Sequence, residues 1–233
     1  MYKRQDFNGY ELIEENKFEY QYKNLKLTGH SGPSIGGLMV LKYLNALSVE
    51  FQNIEETLKN VYLDRQNKYE FFGGRGDLIN NEISKITTSS STIQVNTSDK
   101  NNFHFSITFS SGYGSGVLCK NTGMYFNNSL GEIELNPQGF LGDTKGDRLI
   151  SNMSPLIIES KEGVSTIGSP GADRISSAIA QVLRNYTNGK TWKDSIDMPR
   201  FHVNADGGVR AEPGYDNIFS YGDKRRGNTS WKC

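Results

Sequence analysis

Hydrophobic residues early in the chain recur at helical spacing. After a loop rich in glycine and serine, leucines follow at every third position, which indicates one face of a helix within residues 29–51; they are Leu38, Leu41, Leu44 and Leu47. Ser34 precedes this helix, where its hydroxyl could cap the first turn. The segment 53–68 predicts a second helix with Ile54, Leu58 and Tyr62 on one face.

The hydrophobic period changes after the serine run at residues 89–91. Phe103, Phe105, Ile107 and Phe109 alternate with polar residues, which predicts a half-buried strand. The residues from Thr92 to Val95 predict a preceding strand, and "SDKNN" predicts the turn between the two strands.

The last third of the chain returns to helices. "SPLIIES" and "VSTIG", separated by "KEG", predict a hairpin. A helix follows with one apolar face and with Asp173 at its capping end; the face consists of Ile175, Ile179, Val182, Leu183 and Tyr186. A short helix ends at Pro199. Helices, then strands, then helices predict an α+β sandwich with helices outside a sheet core.

Composition excludes several classes of protein. The chain has 233 residues, a length that suits one domain, and it carries 26 basic and 26 acidic side chains. This balance argues against a nucleic-acid partner. Two cysteines and three separated histidines predict no metal site, and no cofactor motif is present. We find no signal peptide and no apolar run long enough to span a membrane.

Six motifs occur in an order that matches a known family. "GPSIGGLMVLKYLN", "SGYGSGV", "GMYFNN", "RLISNMSPLII", "IGSPGADRI" and "DMPRFH" resemble the γ-glutamyltranspeptidase family over roughly Phe18 to Pro213. The resemblance implies an N-terminal-nucleophile hydrolase, which is a four-layer αββα sandwich. Such proteins are made as precursors that cut themselves, and the threonine at the new N-terminus becomes the nucleophile.

The resemblance places the nucleophile at Thr92. "TIQVNTSD" opens with Thr92 and has Asp99 at the family's distance, although the family usually has a threonine and a histidine where this chain has Ile93 and Gln94. Residues 1–91 would then be a remnant of the large-subunit part, and residues 92–233 the small-subunit-like catalytic part of one domain. Thr88 and the serines at 89–91 remain alternative nucleophiles.

The chemistry of this arrangement requires a base and an oxyanion hole. A free α-amine has a pKa of about 7.7–8.0, so cleavage before Thr92 would create a nucleophile and its base in one residue. Thr108 resembles the family threonine that orients the nucleophile. Gly171 and Ala172 in "SPGAD" resemble the oxyanion turn, where the family usually has two glycines. We expect the hole to persist with alanine if the φ of Ala172 is negative.

The resemblance also implies a substrate pocket. The residues at its substrate-binding positions are Ser110, Ser129, Glu132, Ser151 and Asn152. Glu132 could face the ammonium of a γ-glutamyl group, whereas the arginine that holds the α-carboxylate belongs to an earlier part of the family chain. Asp197, Arg200 and His202 in "DMPRFH" are expected to form a buried structural cluster instead.

The implied function is hydrolysis or transfer at γ-glutamyl amides such as glutathione. Water or an amino acid would be the acceptor, no cofactor would be needed, and the two cleaved pieces would stay associated. One alternative is an inactive or incomplete relative, truncated at both ends; another is an amidase of the same fold that acts on a different amide. The resemblance implies an extracellular, periplasmic or membrane-associated location.

Overall fold

The structure of the protein is a computed structural model. It describes residues 9–12, 14, 16–30, 34–48, 54–69, 92–132, 135–136, 149–203 and 208–215. The alternative nucleophiles Thr88 and Ser89–Ser91 lie outside these residues. No helix in the described ranges has the length and apolar character needed to cross a membrane.

A four-stranded antiparallel sheet forms the centre of the described structure. Its strands, in spatial order, are β1 (Lys17–Tyr22), β2 (Leu25–His30), β5 (Leu156–Ser160) and β6 (Gly163–Ile167). The predicted hairpin of β5 and β6 is confirmed, with Ser160 paired to Gly163 at the turn. The strands β1 and β2 were not predicted, although Phe18, Tyr20 and Tyr22 alternate with polar residues as a strand requires.

Helices cover one face of this sheet. They are α1 (Gly36–Leu47), α2 (Ile54–Tyr69), α3 (Ile175–Thr187) and α4 (Trp192–Asp197). The sheet contributes Leu25, Leu27, Leu156 and Ile158 to a core that also contains apolar side chains of α1, α2 and α3. Successive residues of a strand point to opposite faces, so these alternate residues of β2 and β5 lie in the same core.

The predicted apolar face of α1 is partly wrong. The buried residues are Gly36, Gly37, Met39, Val40, Tyr43, Leu44 and Leu47, whereas Leu38 is 37% exposed. Residues three apart are separated by about 300° around a helix of 3.6 residues per turn, so a strict three-residue spacing rotates around the helix. The buried face follows mixed spacings of three and four residues instead.

The other predicted helices form, but two predicted caps do not. The buried residues of α2 include Leu58 and Tyr62, and those of α3 include Ile175, Ile179, Val182 and Leu183, as expected. The hydroxyl of Ser34 donates to the carbonyls of Ser151 and Met153 rather than capping α1. Asp173 lies in a 3₁₀ turn before α3, and the N-cap position of α3 is Arg174.

The predicted pair of central strands is present as the hairpin of β3 (Ile93–Ser98) and β4 (His104–Phe109). At its turn, the backbone N–H of Phe103, with smaller contributions from Asn101, lowers the pKa of the Asp99 carboxyl below its usual range. Asp99 therefore serves the turn, at the opposite end of β3 from Thr92.

The predicted burial of this hairpin is reversed. The apolar side chains Ile93, Val95, Phe105 and Phe109 are all exposed, whereas Thr108 on the opposite face is buried. The polar face lies against β6, since the Ser106 hydroxyl donates to the Ile167 carbonyl at 3.4 Å. Alternation predicted the strand correctly, but hydrophobicity indicated the wrong face.

The start of α1 is fixed to the segment before β5. The backbone N–H groups of Ile35 and Gly36 both donate to the Ser151 carbonyl, at 2.9 and 3.2 Å. A methyl group on Gly36 would lie 2.2 Å from Ser154 Oγ and 2.3 Å from the Asn152 carbonyl oxygen. The helix therefore approaches residues 151–154 at a distance that only glycine permits.

We predict that Gly36→Ala lowers the free energy of unfolding by about 2 kcal/mol, because the added methyl overlaps backbone oxygens that cannot move independently. Urea unfolding followed by circular dichroism measures the change. Gly131→Ala is the matched control, since nothing lies within 4 Å of the added carbon. Equal stability losses in the two variants would contradict the close approach at Gly36.

Candidate active site

The Thr92 hydroxyl lies at the start of β3, directly across from Ser110. Its Oγ1 donates to Ser110 Oγ at 3.2 Å, and both side chains are partly buried. The β3–β4 register pairs Ile93 with Phe109, so the next pair outward along the hairpin is Thr92 with Ser110. Cross-strand geometry, rather than a loop, therefore positions this hydroxyl.

Thr92 is the first member of a polar ladder on the inner face of the hairpin. We use the name polar ladder for four cross-strand pairs joined by side-chain contacts: Thr92–Ser110, Gln94–Thr108, Asn96–Ser106 and Ser98–His104. The Gln94 amide joins two of these pairs, because its Nε2 donates to Asn96 Oδ1 at 2.9 Å and to Ser106 Oγ at 3.0 Å.

Thr108 belongs to the polar ladder one pair inward from Thr92. Its hydroxyl donates to Gln94 Oε1, and its side chain is buried. Ser110 accepts the hydrogen bond that the Thr92 hydroxyl donates. Thr108 contacts Gln94, and Ser110 lies next to the candidate nucleophile.

Glu132 approaches the same group through Gly112. The N–H of Gly112 donates to Ser110 Oγ at 3.0 Å, and a methyl on Gly112 would lie 2.3 Å from Glu132 Oε1. Gly112 has a φ of +64°, so both its conformation and its surroundings require glycine. The buried Glu132 carboxylate is thus two contacts away from the Thr92 hydroxyl.

Ser129 begins the short turn that leads to Glu132. The turn spans Ser129–Gly131, and the Glu132 N–H donates to the Ser129 carbonyl at 3.2 Å. Asn128, just before the turn, accepts the Tyr113 N–H at 2.6 Å. These backbone contacts fix Glu132 beside Gly112.

Ser151 and Asn152 lie at the start of α1. Asn152 is 5% exposed, and neither atom of its side-chain amide has a hydrogen-bond partner within the described ranges. Buried amides are ordinarily paired. None of the described contacts joins Ser151 or Asn152 directly to the polar ladder. They are connected to the start of α3 through Ser154 Oγ, which lies 3.3 Å from Ser176 Oγ.

The turn with the two candidate oxyanion donors precedes α3. The Gly171 carbonyl accepts the Arg174 backbone N–H at 2.9 Å and Arg174 Nε at 3.2 Å. Since a trans peptide points its carbonyl and its N–H in opposite directions, the Ala172 N–H points away from Arg174. The N–H groups of Gly171 and Ala172 make no hydrogen bond within the described part of the chain.

The condition set for the oxyanion hole, a negative φ at Ala172, is not met. The φ of Ala172 is +53°, and the φ of Gly171 is +126°. The left-handed region costs a residue with a Cβ about 1–2 kcal/mol. The turn therefore adopts a conformation suited to two glycines although its second residue is alanine.

The segment that leads into this turn lies next to the polar ladder. A methyl on Gly168 would be 2.0 Å from Gln94 Oε1 and 2.1 Å from Gln94 Cδ. The Gln94 side chain therefore fills the space beside Gly168, three residues before Gly171. This contact joins the strand that follows Thr92 to the segment before the candidate oxyanion turn. It was not predicted, because Gln94 was treated only as a departure from the family pattern.

The expected cluster of Asp197, Arg200 and His202 is not formed. Asp197 pairs with Lys193 on exposed α4. Arg200 Nη2 pairs with Glu212 Oε1 at 3.1 Å. His202 lies on β7 (Phe201–Val203), which pairs with β8 (Val209–Ala211), and contacts Asp173.

The arrangement suits nucleophilic attack on a carbonyl carbon. It offers a hydroxyl at the start of a strand and, three residues beyond a glycine that contacts this strand, two N–H groups that make no hydrogen bond within the described residues. A nucleophilic hydroxyl and a pair of N–H donors are parts that acyl transfer uses. No group of three or more histidine, cysteine, aspartate or glutamate side chains suited to a metal occurs among the described residues.

Comparisons with known proteins point to one family. A family model described as Gamma-glutamyltranspeptidase matches residues 54–229. The chain is 31% identical to the glutathione hydrolase proenzyme of Bacillus subtilis strain 168, over 44% of this chain and 18% of that protein. It is 22% identical to the glutathione hydrolase proenzyme of Escherichia coli K12, over 85% of this chain and 43% of that protein. The chain thus spans less than half the length of these relatives.

A solved structure confirms the predicted fold. The structure of cephalosporin acylase from Bacillus halodurans matches with a TM-score of 0.64 and 19% identity, over 91% of this chain and 45% of that chain. The predicted α+β fold of the N-terminal-nucleophile hydrolase type is therefore confirmed.

We predict that Gly168→Ala costs about 1–2 kcal/mol of stability, because its methyl must displace the Gln94 amide from the polar ladder. A double-mutant cycle with Gln94→Ala measures this coupling by chemical unfolding. In the Gln94→Ala background the same substitution should cost less than half as much. Strict additivity of the two changes would show that the Gln94–Gly168 contact does not constrain the turn.

We predict that Ala172→Gly raises the free energy of unfolding by about 1 kcal/mol, because glycine adopts a positive φ without strain. Ala178→Gly, on the helix α3, provides the control and should lower it by about 1 kcal/mol. Both changes lose one methyl, so opposite signs in thermal or urea unfolding isolate the backbone effect. A destabilised Ala172→Gly variant would contradict the left-handed conformation.

Proposed function

The chain belongs to the gamma-glutamyltranspeptidase family, and we propose that it cleaves γ-glutamyl amide bonds through Thr92 as an N-terminal nucleophile. The observation that carries this proposal is the Thr92 hydroxyl, held at the start of β3 by Ser110 on the polar ladder.

The first step proposed is hydrolysis of the Ser91–Thr92 peptide bond, in which water supplies the oxygen for a new carboxylate on Ser91. Hydrolysis would leave an α-amine on Thr92, which could accept the proton of its own hydroxyl. The freed hydroxyl oxygen would then attack the γ-carbonyl carbon of the substrate. The resulting pieces, residues 1–91 and 92–233, would remain associated, because β1, β2 and α1 share one hydrophobic core with β5 and α3.

The proposed reaction continues through an acyl-enzyme. The N–H groups of Gly171 and Ala172 would stabilise the negative charge on the carbonyl oxygen during attack. Departure of the amine would leave a γ-glutamyl ester on Thr92. Water would hydrolyse this ester, or an amino acid would accept the γ-glutamyl group.

The substrate proposed is a small γ-glutamyl compound of the glutathione type. The buried Glu132 carboxylate beside Gly112 is suited to its ammonium group. The Asn152 amide, which has no hydrogen-bond partner among the described residues, is a candidate donor for its carboxylate. Ser129 and Ser151 would support these two residues. The similar proteins from Bacillus subtilis and Escherichia coli are glutathione hydrolase proenzymes, which supports this substrate class.

The alternative is a family member without γ-glutamyl activity, or an amidase with another substrate. Ile93 and Gln94 at the family's threonine and histidine positions favour this alternative, as does the strained Ala172. A location outside the cytoplasm, or at a membrane surface, is part of the first proposal.

We predict that purified protein separates into two pieces whose intact masses correspond to cleavage between Ser91 and Thr92. Hydrolysis of a γ-glutamyl anilide should accompany the cut, and Thr92→Ala should lose both. Thr92→Ser, which keeps a hydroxyl, should retain the cut and part of the activity.

Two outcomes would contradict this assignment in different ways. A cut that persists in Thr92→Ala would place the nucleophile elsewhere, for example at Thr88. A cut wild-type protein that releases amine from another amide, but not from the γ-glutamyl anilide, would favour the amidase alternative.

A further inference from the structure

A buried chain of three polar side chains connects β7, the candidate oxyanion turn and α3. His202 Nε2 lies 3.1 Å from Asp173 Oδ2, and His202 Nδ1 lies 3.0 Å from Ser177 Oγ. The exposed fraction is 5% for His202 and 3% for Ser177. Asp173 is the residue directly after Ala172, so this chain ends at the turn proposed to stabilise the oxyanion.

The ring of His202 lies between Ser177 and Asp173. The Ser177 hydroxyl donates to the Arg174 carbonyl at 3.1 Å, so its oxygen is available to accept from Nδ1 of the ring. The other ring nitrogen, Nε2, faces the Asp173 carboxylate.

The contact with Asp173 is a close approach of two polar atoms rather than an aligned hydrogen bond. Nε2 and Oδ2 are 3.1 Å apart, and Nε2 makes no aligned hydrogen bond within the described residues. The pair therefore connects the turn to β7 without imposing one geometry.

The turn needs such a connection because Ala172 is strained. Arg174 holds the Gly171 carbonyl from one side, but Ala172 would relax from its φ of +53° if the residue after it were free to move. Strained backbone persists only where its surroundings over-determine it. Asp173 supplies the second point of attachment.

We propose that Asp173 and His202 are positioning residues that hold the Ala172 N–H in its oxyanion-binding orientation. This inference rests on the proposed function, and it adds two residues that contact neither substrate nor nucleophile. Their effect acts through the backbone of Ala172. Oxyanion donors bind the transition state more strongly than the substrate, so loss of positioning should reduce kcat and leave KM nearly unchanged.

The test compares two amides at position 202. His202→Gln places an N–H near the position of Nε2 and keeps the contact with Asp173, whereas His202→Asn places one near Nδ1 and keeps only the contact with Ser177. Asp173→Ala removes the carboxylate from the partly buried turn side and leaves the side chains of His202 and Ser177 in place. All three variants are assayed with a γ-glutamyl anilide, and the amide chemical shifts of Gly171 and Ala172 are recorded by NMR.

We expect His202→Asn and Asp173→Ala each to lower kcat about 10- to 100-fold, with KM within about twofold, as for displacement of one oxyanion donor. His202→Gln should stay within about threefold of wild type. The double variant of His202→Asn with Asp173→Ala should be no slower than either single variant, because both remove one contact. The Ala172 amide signal should shift in the two impaired variants and return toward wild type in His202→Gln.

The two readouts separate the positioning proposal from the proposed function. If wild type has no γ-glutamyl activity, the proposed function fails, and the Ala172 amide signal still decides whether Asp173 and His202 hold the turn. An unchanged Ala172 signal in Asp173→Ala would overturn the positioning proposal. Fully additive losses in kcat, or equal loss in His202→Gln and His202→Asn, would overturn it as well.

Discussion

The two-residue alternation of the β3–β4 hairpin determines the geometry of the candidate site. It places Thr92, Gln94, Thr108 and Ser110 on one face, where each side chain contacts a neighbour across or along the strands. A shift of one residue in the register would turn all of these groups to the other face. The candidate nucleophile Thr92 is therefore positioned by the whole hairpin, and the position of its hydroxyl depends on the polar ladder.

The second half of the site is attached to the first by the Gln94–Gly168 contact. Gly171 lies three residues after Gly168. There, Arg174 donates to the Gly171 carbonyl, and this contact fixes the direction of the Ala172 N–H in the same peptide. Strand and turn thus belong to different elements, and the Gln94 side chain contacts the segment that leads into the turn. Acyl transfer is sensitive to a displacement of about 1 Å between reacting groups, so this contact connects local packing with the proposed chemistry.

Periodicity predicted most elements but misjudged which faces are buried. The residues Ile175, Ile179 and Leu183 on α3 combine helical spacing with burial in one core, so spacing alone was sufficient. On β4, by contrast, Phe105 and Phe109 are exposed while Thr108 is buried, because the hairpin directs its hydrogen-bonded face toward β6. Gln94 contacts Gly168, and His202 contacts Asp173. The two residues of each pair are far apart in the sequence, so local hydrophobic periodicity could not predict these contacts.

The departures from the family motif have unequal physical consequences. Ile93 lies on the exposed face of β3, opposite to the polar ladder, so its apolar side chain disturbs none of the ladder contacts. Gln94 provides both a donor and an acceptor, and it uses both within the polar ladder. Ala172 alone imposes a conformational cost, since it keeps a positive φ against the preference of its Cβ. The substitution most relevant to catalysis is therefore the one in the turn, and the Asp173–His202 pair lies where that cost must be offset.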